Sequence, residues 1–201
     1  MNKHLVSSLS AMILTGQIVL SIGNDVARAQ AGTAPGGPSA GVMPEAARIA
    51  RGGYLVGIMV CNDCHTPLSM GPDGPAPDMT RQLSGHPEGM IMPPAPPAAG
   101  PWLWSGAATN TAFAGPWGVS FTANLTPDPD TGLGRWTEAT FIQAIRTGRH
   151  EGQGRPILPP MPWPMFRQAT DEDLGAIFAY LQSIPPIRNR VPQPIDPPEA
   201  P

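Results

Sequence analysis

The sequence predicts an all-α fold, and two features of the chain lead to this prediction. Three segments place apolar residues at helical spacing behind a residue that suits the start of a helix. Between the first two of them, residues 66–134 have little periodicity, so a long loop is expected there. The 28 Pro and 23 Gly among 201 residues also indicate few long helices and much irregular backbone.

The first helix is predicted over PEAARIARGGYLVGIMV, residues 44–60. Pro44 fits a first helical turn, and the carboxylate of Glu45 favours the positive end of the helix dipole. The glycines inside this segment lower helix stability, so they suggest the close approach of another backbone. The helix leads directly into the two cysteines of the chain.

The second and third helices begin at threonines that suit the N-cap position. Residues 137–146, TEATFIQAIR, follow Thr137, and residues 170–181, TDEDLGAIFAYL, follow Thr170. The third helix also carries acidic residues in its first turn, and two prolines end it. Its apolar stripe consists of Leu174, Ile177, Phe178 and Leu181.

The N-terminus, residues 1–29, reads as an export signal. Lys3 gives it a positive start, residues 5–22 form a largely apolar centre, and small residues allow cleavage near Ala29 or Ala31. We therefore expect a periplasmic or secreted protein. The alternative is an uncleaved N-terminal membrane anchor, but polar residues interrupt the apolar run.

Cleavage of this signal leaves ten arginines, no lysine and 14 acidic residues, for a formal charge of −4. Such a chain has no general attraction for nucleic acid or anionic lipid. A membrane is therefore expected as a partner only if the signal is uncleaved. The remaining length fits one domain with long loops.

Both cysteines lie in the stretch CNDCH, three positions apart, with a histidine directly behind the second. Cys-x-x-Cys-His is the attachment signature of a c-type haem. Cys61 and Cys64 are expected to form thioethers with the two porphyrin vinyl groups. His65 is then held beneath the iron as its proximal ligand.

Other roles for the motif fit the sequence less well. A Cys-x-x-Cys disulfide suits an exported chain, but thioredoxin-like chemistry expects a βαβ context, and a Pro/Gly-rich segment follows here. A zinc site needs further ligands, and His86 and His150 stand alone in the sequence.

In the order of its motifs, the chain resembles class I c-type cytochromes. It is similar to bacterial cytochrome c subunits and stand-alone cytochromes associated with dehydrogenases. The resemblance rests on CNDCHTP (61–67), NLTPD (124–128), GLGRWT (132–137), GRPILPPMPW (154–163), and DEDL with AYL (171–181). It implies helices packed around one covalently bound haem c, since the sequence has a single attachment motif.

The resemblance divides the chain into segments. Residues 30–43 are expected to be a flexible leader, and residues 44–187 the monohaem cytochrome c-like domain. A long Pro/Gly-rich insertion occupies 66–123, and residues 188–201 form an irregular, Pro-rich tail.

The resemblance also implies a methionine as the second axial ligand, just before the last helix. Met161 stands in Pro-Pro-Met-Pro, where the prolines stiffen its loop, and Met165 is the alternative. His86 and His150 are rival ligands that are more easily explained as surface or structural residues.

The haem environment is expected to include donors for the two propionates. Trp136, Asn124 and Arg155 are the main candidates, and the others are Trp117, Arg135, Arg146 and Arg149. The resemblance further implies a proline whose carbonyl steadies the proximal histidine, with Pro67, Pro72, Pro75 and Pro77 as candidates. It also implies that Gly52 or Gly53 lies opposite Tyr180 where the first and last helices cross.

The function predicted from these residues is a one-electron carrier rather than an enzyme. By resemblance, a dehydrogenase is the electron donor, and an oxidase or another cytochrome the acceptor. One alternative is a haem enzyme or gas sensor with an open sixth coordination position. Another is an interaction module that holds a dehydrogenase through residues 93–118, a segment that could instead cover the haem edge.

Overall fold

The computed structural model of the protein describes residues 43–94 and 101–197. The predicted export signal, its cleavage or anchoring, and nearly all of the flexible leader lie outside the described residues. Within the two described ranges, no helix is both long enough and apolar enough to cross a membrane.

All three predicted helices are present. Helix α1 spans Glu45–Ile58, α3 spans Glu138–Thr147 and α5 spans Asp171–Ser183. Two short helices accompany them: α2, Cys61–His65, follows α1 directly, and α4, Trp163–Phe166, precedes α5.

The predicted N-caps of α3 and α5 are confirmed. The hydroxyl of Thr137 accepts the backbone N–H of Thr140, and the hydroxyl of Thr170 accepts that of Asp173, each at 3.1 Å. Each bond satisfies one backbone donor that the first helical turn leaves free. At its other end α3 stops at Gly148, whose positive φ of 66° ends the helix in a left-handed cap.

The core forms where α1, α3 and α5 pack together. The predicted stripe of α5 is buried in full, and the close crossing of α1 over α5 is also confirmed, because Gly53 faces the Tyr180 ring. The buried cluster consists of Leu55, Val56, Leu83, Leu133, Phe141, Ile145, Leu174, Ala176, Ile177, Phe178 and Leu181.

The all-α prediction is wrong, because the insertion folds into two antiparallel sheets. Strands β1 (Leu68–Gly71) and β2 (Gly74–Pro77) form a hairpin. Strands β3 (Ser105–Gly106), β4 (Ala112–Gly115) and β5 (Gly118–Phe121) form a three-stranded sheet in that order. The fold is therefore mixed, with helices around the core and β-structure within residues 66–123.

These strands escaped prediction because they are two to four residues long and rich in Gly, Ala and Pro. Alternation of apolar and polar residues needs a longer run to be recognised. The turns did carry a signal: GPDG joins β1 to β2, and GPWG joins β4 to β5. Proline in second place and glycine in fourth are typical of a tight turn, and Gly74 and Gly118 have φ of 107° and 87°.

The segment after α5 has no helix or strand over its described residues, and it packs against the rest of the protein. The backbone of Ile195 exchanges two hydrogen bonds with that of Val119, at 2.8 and 2.9 Å, beside β5. Nearer to α5, Ile187 and Asn189 bond to side chains of the loop that precedes α3. The C-terminal segment therefore ties the insertion to the helical core.

Candidate haem site

Helix α2 is a single turn that consists of the attachment motif. Val60 has a left-handed backbone (φ 54°), which breaks the chain direction between α1 and α2. Within the turn, Cys61 and Cys64 are three residues apart and therefore lie on the same helical face. The turn ends in the bond from the Thr66 N–H to the Asn62 carbonyl, 2.9 Å. Both sulfurs are thus presented together, as attachment to one flat ligand requires.

Both thiols are free and half-buried. Burial raises the pKa of Cys61 to about 11, and it also raises the pKa of Cys64, with a further contribution from the Asp63 charge. A redox-active Cys-x-x-Cys pair needs a lowered thiol pKa, so this environment does not favour thioredoxin-like chemistry. Nor does the described part of the chain bring three His, Cys, Asp or Glu side chains together as a zinc site would require.

His65 ends the turn and is buried, with 7% of its surface exposed. Its Nδ1 lies 2.8 Å from the carbonyl oxygen of Ala123, so the ring is a tautomer that donates from Nδ1. Its Nε2 makes no hydrogen bond with any described residue. Burial lowers the pKa of His65, which keeps the imidazole neutral. A neutral ring with one nitrogen held by a carbonyl and the other free is the state in which histidine binds a metal.

The acceptor for His65 is therefore Ala123 rather than any of the four candidate prolines. Pro67 is buried but its carbonyl accepts the N–H of Asp78, while Pro72, Pro75 and Pro77 lie exposed in the β1–β2 hairpin. Ala123 is 58 residues from His65 in sequence. Every residue type carries the same backbone carbonyl, so no sequence signal could have identified Ala123 as the acceptor.

Met161 and Met165 lie in different environments. Met161 is half-buried and packs against the core cluster, as Cys61 does. Met165 lies on α4 with 65% of its surface exposed. Burial against the same cluster as the attachment turn favours Met161 as the second iron ligand.

The rival histidines have other roles. His86 is fully buried, and both ring nitrogens are engaged: Nδ1 with the Thr111 hydroxyl at 2.9 Å and Nε2 with the Met90 carbonyl at 3.1 Å. It holds the insertion together and has no free nitrogen for iron. His150 is exposed beyond the end of α3, where its ring meets the edge of Trp136.

Of the three residues named for the haem environment, Trp136 and Arg155 both lie beside His150, whereas Asn124 bonds to the segment after α5. Trp136 is half-buried against the core, and Arg155 is exposed near His150. Asn124 is buried. Its amide nitrogen donates to the Ile187 carbonyl at 2.8 Å, and its amide oxygen accepts the N–H of Thr126 at 3.0 Å. Because these partners belong to the chain, the structure gives Asn124 a role in holding loops, and a direct haem contact stays a prediction.

Two buried polar atoms in the insertion have no hydrogen-bond partner among the described residues, Trp117 Nε1 and Thr122 Oγ1. Trp117 stands in the turn between β4 and β5, and Thr122 directly precedes the His65 acceptor. Unpaired buried donors are rare and costly, so they suggest an acceptor from outside the chain. The carboxylates of a haem fit this need, and the free thiols and the free His65 nitrogen fit its other contacts.

The three-stranded sheet bonds to both the segment beside His65 and the loop that contains Met161. At the end of β5 the chain continues through Thr122 to Ala123, the acceptor of His65. Within β5, the Ser120 hydroxyl donates to the Pro159 carbonyl, 2.6 Å, two residues before Met161. The insertion thus contacts both His65 and the loop that contains Met161.

The chain matches no protein-family model. Among curated proteins it is 41% identical over 85 residues to a nicotinate dehydrogenase component of Pseudomonas putida, covering 42% of this chain and 7% of that protein. It is 39% identical over 80 residues to the cytochrome c subunit of the quinone-type alcohol dehydrogenase of Gluconacetobacter polyoxogenes. This match covers 39% of this chain and 17% of that protein. It is 37% identical over 68 residues to the gluconate 2-dehydrogenase cytochrome c subunit of Pantoea cypripedii. This match covers 34% of this chain and 15% of that protein.

The predicted resemblance is confirmed: the chain is similar to dehydrogenase-associated cytochrome c subunits. The matches span less than a fifth of the length of each of these three relatives. A further relative is named a dihaem cytochrome c. The similarity supports an electron-transfer cytochrome with haem c and leaves the number of haems open.

Proposed function

We propose that the protein is an exported monohaem c-type cytochrome that carries single electrons between a dehydrogenase and a downstream oxidase or cytochrome. The observation that carries this proposal is the state of His65. The residue directly behind two free thiols has a neutral buried ring, with Nδ1 bound to the Ala123 carbonyl and Nε2 free. One attachment motif in the chain supports one haem.

In this proposal the residues of the chain hold the cofactor and its ligands in place. Cys61 and Cys64 would tether the haem, and His65 and Met161 would bind its iron. Bound haem supplies an iron that alternates between the ferric and ferrous states. Cys61 and Met161 both pack against the apolar core cluster, which would limit the access of water to the cofactor from that side.

A permanent methionine ligand would separate this function from that of a haem enzyme or gas sensor. Met161 lies in a loop that the Ser120 hydroxyl fastens to β5 through the Pro159 carbonyl. A loop held in this way favours a permanent methionine ligand, and so a carrier, over a position open to exogenous molecules. No reaction of a substrate is therefore assigned to this chain.

We assign the dehydrogenase contact to the insertion. No charged residue occurs from Gly89 to Pro127, and Trp102, Leu103 and Ile91 are exposed by 76%, 63% and 93%. Exposed aromatic and apolar side chains without charge are typical of the buried centre of a protein interface. The partner in this proposal is a dehydrogenase subunit in the periplasm or outside the cell.

The test is an optical and near-infrared spectrum of the haem-loaded protein, oxidised and reduced, with and without CO. We expect a covalently bound low-spin haem, a methionine-to-iron charge-transfer band and no CO binding. Met161→Ala should abolish the band and admit CO, while the matched control Met165→Ala should retain it. A high-spin wild type that binds CO would instead indicate an enzyme or sensor, and absence of covalent haem would refute the assignment of Cys61, Cys64 and His65.

A further inference from the structure

The C-terminal segment after α5 reaches the surroundings of the His65 acceptor from two directions. Ile187 bonds to the loop that follows Ala123, and Asn189 bonds to the loop that contains Gly85. The segment is about 60 residues from the first loop and about 100 from the second. A strap of this kind restricts both loops at once, because Asn189 bonds to the first through Thr131 and to the second through Ser84 and His86.

The Ala123 carbonyl lies directly against Gly85. A Cβ atom at Gly85 would lie 2.6 Å from the Ala123 oxygen, so no larger residue fits there without displacing the carbonyl. The Gly85 N–H donates to the His65 carbonyl at 2.7 Å. The loop around Gly85 therefore contacts both the histidine and its acceptor.

Asn189 fixes the position of this loop. Its amide nitrogen donates to the carbonyls of Ser84 and His86, at 2.6 and 2.9 Å, on either side of Gly85. Its amide oxygen accepts the N–H of Glu88 at 2.8 Å. One side chain thus satisfies three backbone groups across the Gly85 loop.

Asn124 fixes the other side. It directly follows Ala123, and its amide nitrogen donates to the Ile187 carbonyl at 2.8 Å. Its amide oxygen accepts two bonds from Thr126, whose hydroxyl in turn accepts the Ile187 N–H at 3.0 Å. The residue next to Ala123 is thereby tied to the C-terminal strap, while the Ala123 carbonyl accepts the bond from the imidazole.

We infer that Asn189 and Asn124 are positioning residues that aim the Ala123 carbonyl at His65 Nδ1 and so adjust the electron-donating strength of this ligand. This inference rests on the proposed function. A hydrogen bond from Nδ1 to a carbonyl fixes the ring orientation and raises the basicity of the metal-binding nitrogen. A more basic ligand stabilises the ferric state, so an intact strap holds the reduction potential down.

The test compares Asn189→Ala with Gln182→Ala in the haem-loaded protein. Gln182 is the matched control, because its half-buried amide also donates to a backbone carbonyl, that of Leu133 at 3.0 Å. Leu133 lies far along the loop that precedes α3, and Gln182 bonds neither to Asn124 nor to the loop that contains Gly85. Two quantities are measured for each variant: the reduction potential, and the exchange rate of the His65 Nδ1 proton by nitrogen-15 NMR of the reduced protein.

Asn189→Ala should raise the reduction potential and speed the exchange of the Nδ1 proton about tenfold. This factor corresponds to weakening the bond between His65 and Ala123 by the strength of one hydrogen bond. Gln182→Ala should lower the melting temperature and leave both quantities at their wild-type values. If Asn189→Ala does not fold, Asn189→Ser, which keeps one donor, should show a smaller change in the same directions.

Equal potentials and exchange rates in wild type and in both Asn189 variants would overturn the inference and leave the carrier function intact. An equal change in Gln182→Ala would also overturn it, since the effect would then follow stability alone. Failure of the wild type to hold covalent haem would contradict the proposed function itself, so the two failures are distinguishable.

Discussion

Gly52 of α1 lies so close to Ala176 of α5 that a Cβ atom on the glycine would stand 1.9 Å from the Ala176 carbonyl oxygen. The two helices therefore cross backbone against backbone, with no side chain between them. Since α1 leads directly into the attachment turn, this crossing fixes where Cys61 enters the core. Glycine has a low helix propensity and so weakens α1, but no larger residue fits at this contact with α5.

Gly52→Ala should destabilise the protein by about 2 kcal/mol or more, because the added methyl group pushes the crossing apart. Gly57→Ala is the matched control in the same helix, where an added Cβ meets nothing within 4 Å. It should be neutral or stabilise by up to about 1 kcal/mol, the helix propensity that alanine gains over glycine. Urea unfolding of both variants measures the change in the free energy of unfolding. Equal changes would contradict the close contact between α1 and α5 at Gly52.

Ser120→Ala should loosen the methionine loop, because the Pro159 carbonyl loses its 2.6 Å bond. Losing about 1 kcal/mol of support corresponds to roughly fivefold faster displacement of Met161 by added imidazole or cyanide, followed optically. Ser183→Ala is the control: it removes a similar bond, 2.8 Å to the Tyr180 carbonyl, at the end of α5. Equal displacement rates in the two variants would show that the sheet does not restrain the loop.

His86 should make the protein less stable in acid. Burial lowers its pKa below the ordinary 6.5, so the unfolded chain takes up a proton at a higher pH than the folded protein does. Stability is therefore lost as the pH falls below about 6.5. The free energy of unfolding of the haem-loaded protein should decrease between about pH 7.5 and pH 5.5. In His86→Gln, which cannot be protonated, the decrease should be smaller, and an unchanged decrease would exclude His86 as its source.

Trp117→Phe tests whether the unpaired indole N–H serves the cofactor. If it donates to a haem carboxylate, its removal should destabilise the haem-loaded protein by about 2 kcal/mol, as for a bond to a charged group. Trp104→Phe, at a more exposed site packed edge-on against Phe113, should change stability by less than about 0.5 kcal/mol. The measurement is thermal unfolding of the haem-loaded variants. If Trp117→Phe is as stable as the wild type, the indole N–H of Trp117 does not bond to the haem.

Where the sequence carried local information, it predicted structure well. The caps Thr137 and Thr170 lie within three residues of the N–H groups that they bind, so residue type and spacing suffice to identify them. The resemblance to cytochrome c subunits rests on short motifs that read in order along the chain. The strands were missed because their pairing, rather than their composition, makes them strands.

The sequence alone determined the attachment motif, the three longer helices and the pair of methionines from which a ligand could be chosen. Their signals are local: spacing along one helical turn, capping residues and prolines beside a side chain. Only the tertiary structure decided that Ala123 accepts the His65 proton, that His86 has no free nitrogen and that the C-terminal segment holds the loops beside the site. These relationships join backbone carbonyls and side chains distant in sequence, and a carbonyl is the same in every residue, so only the folded chain distinguishes them.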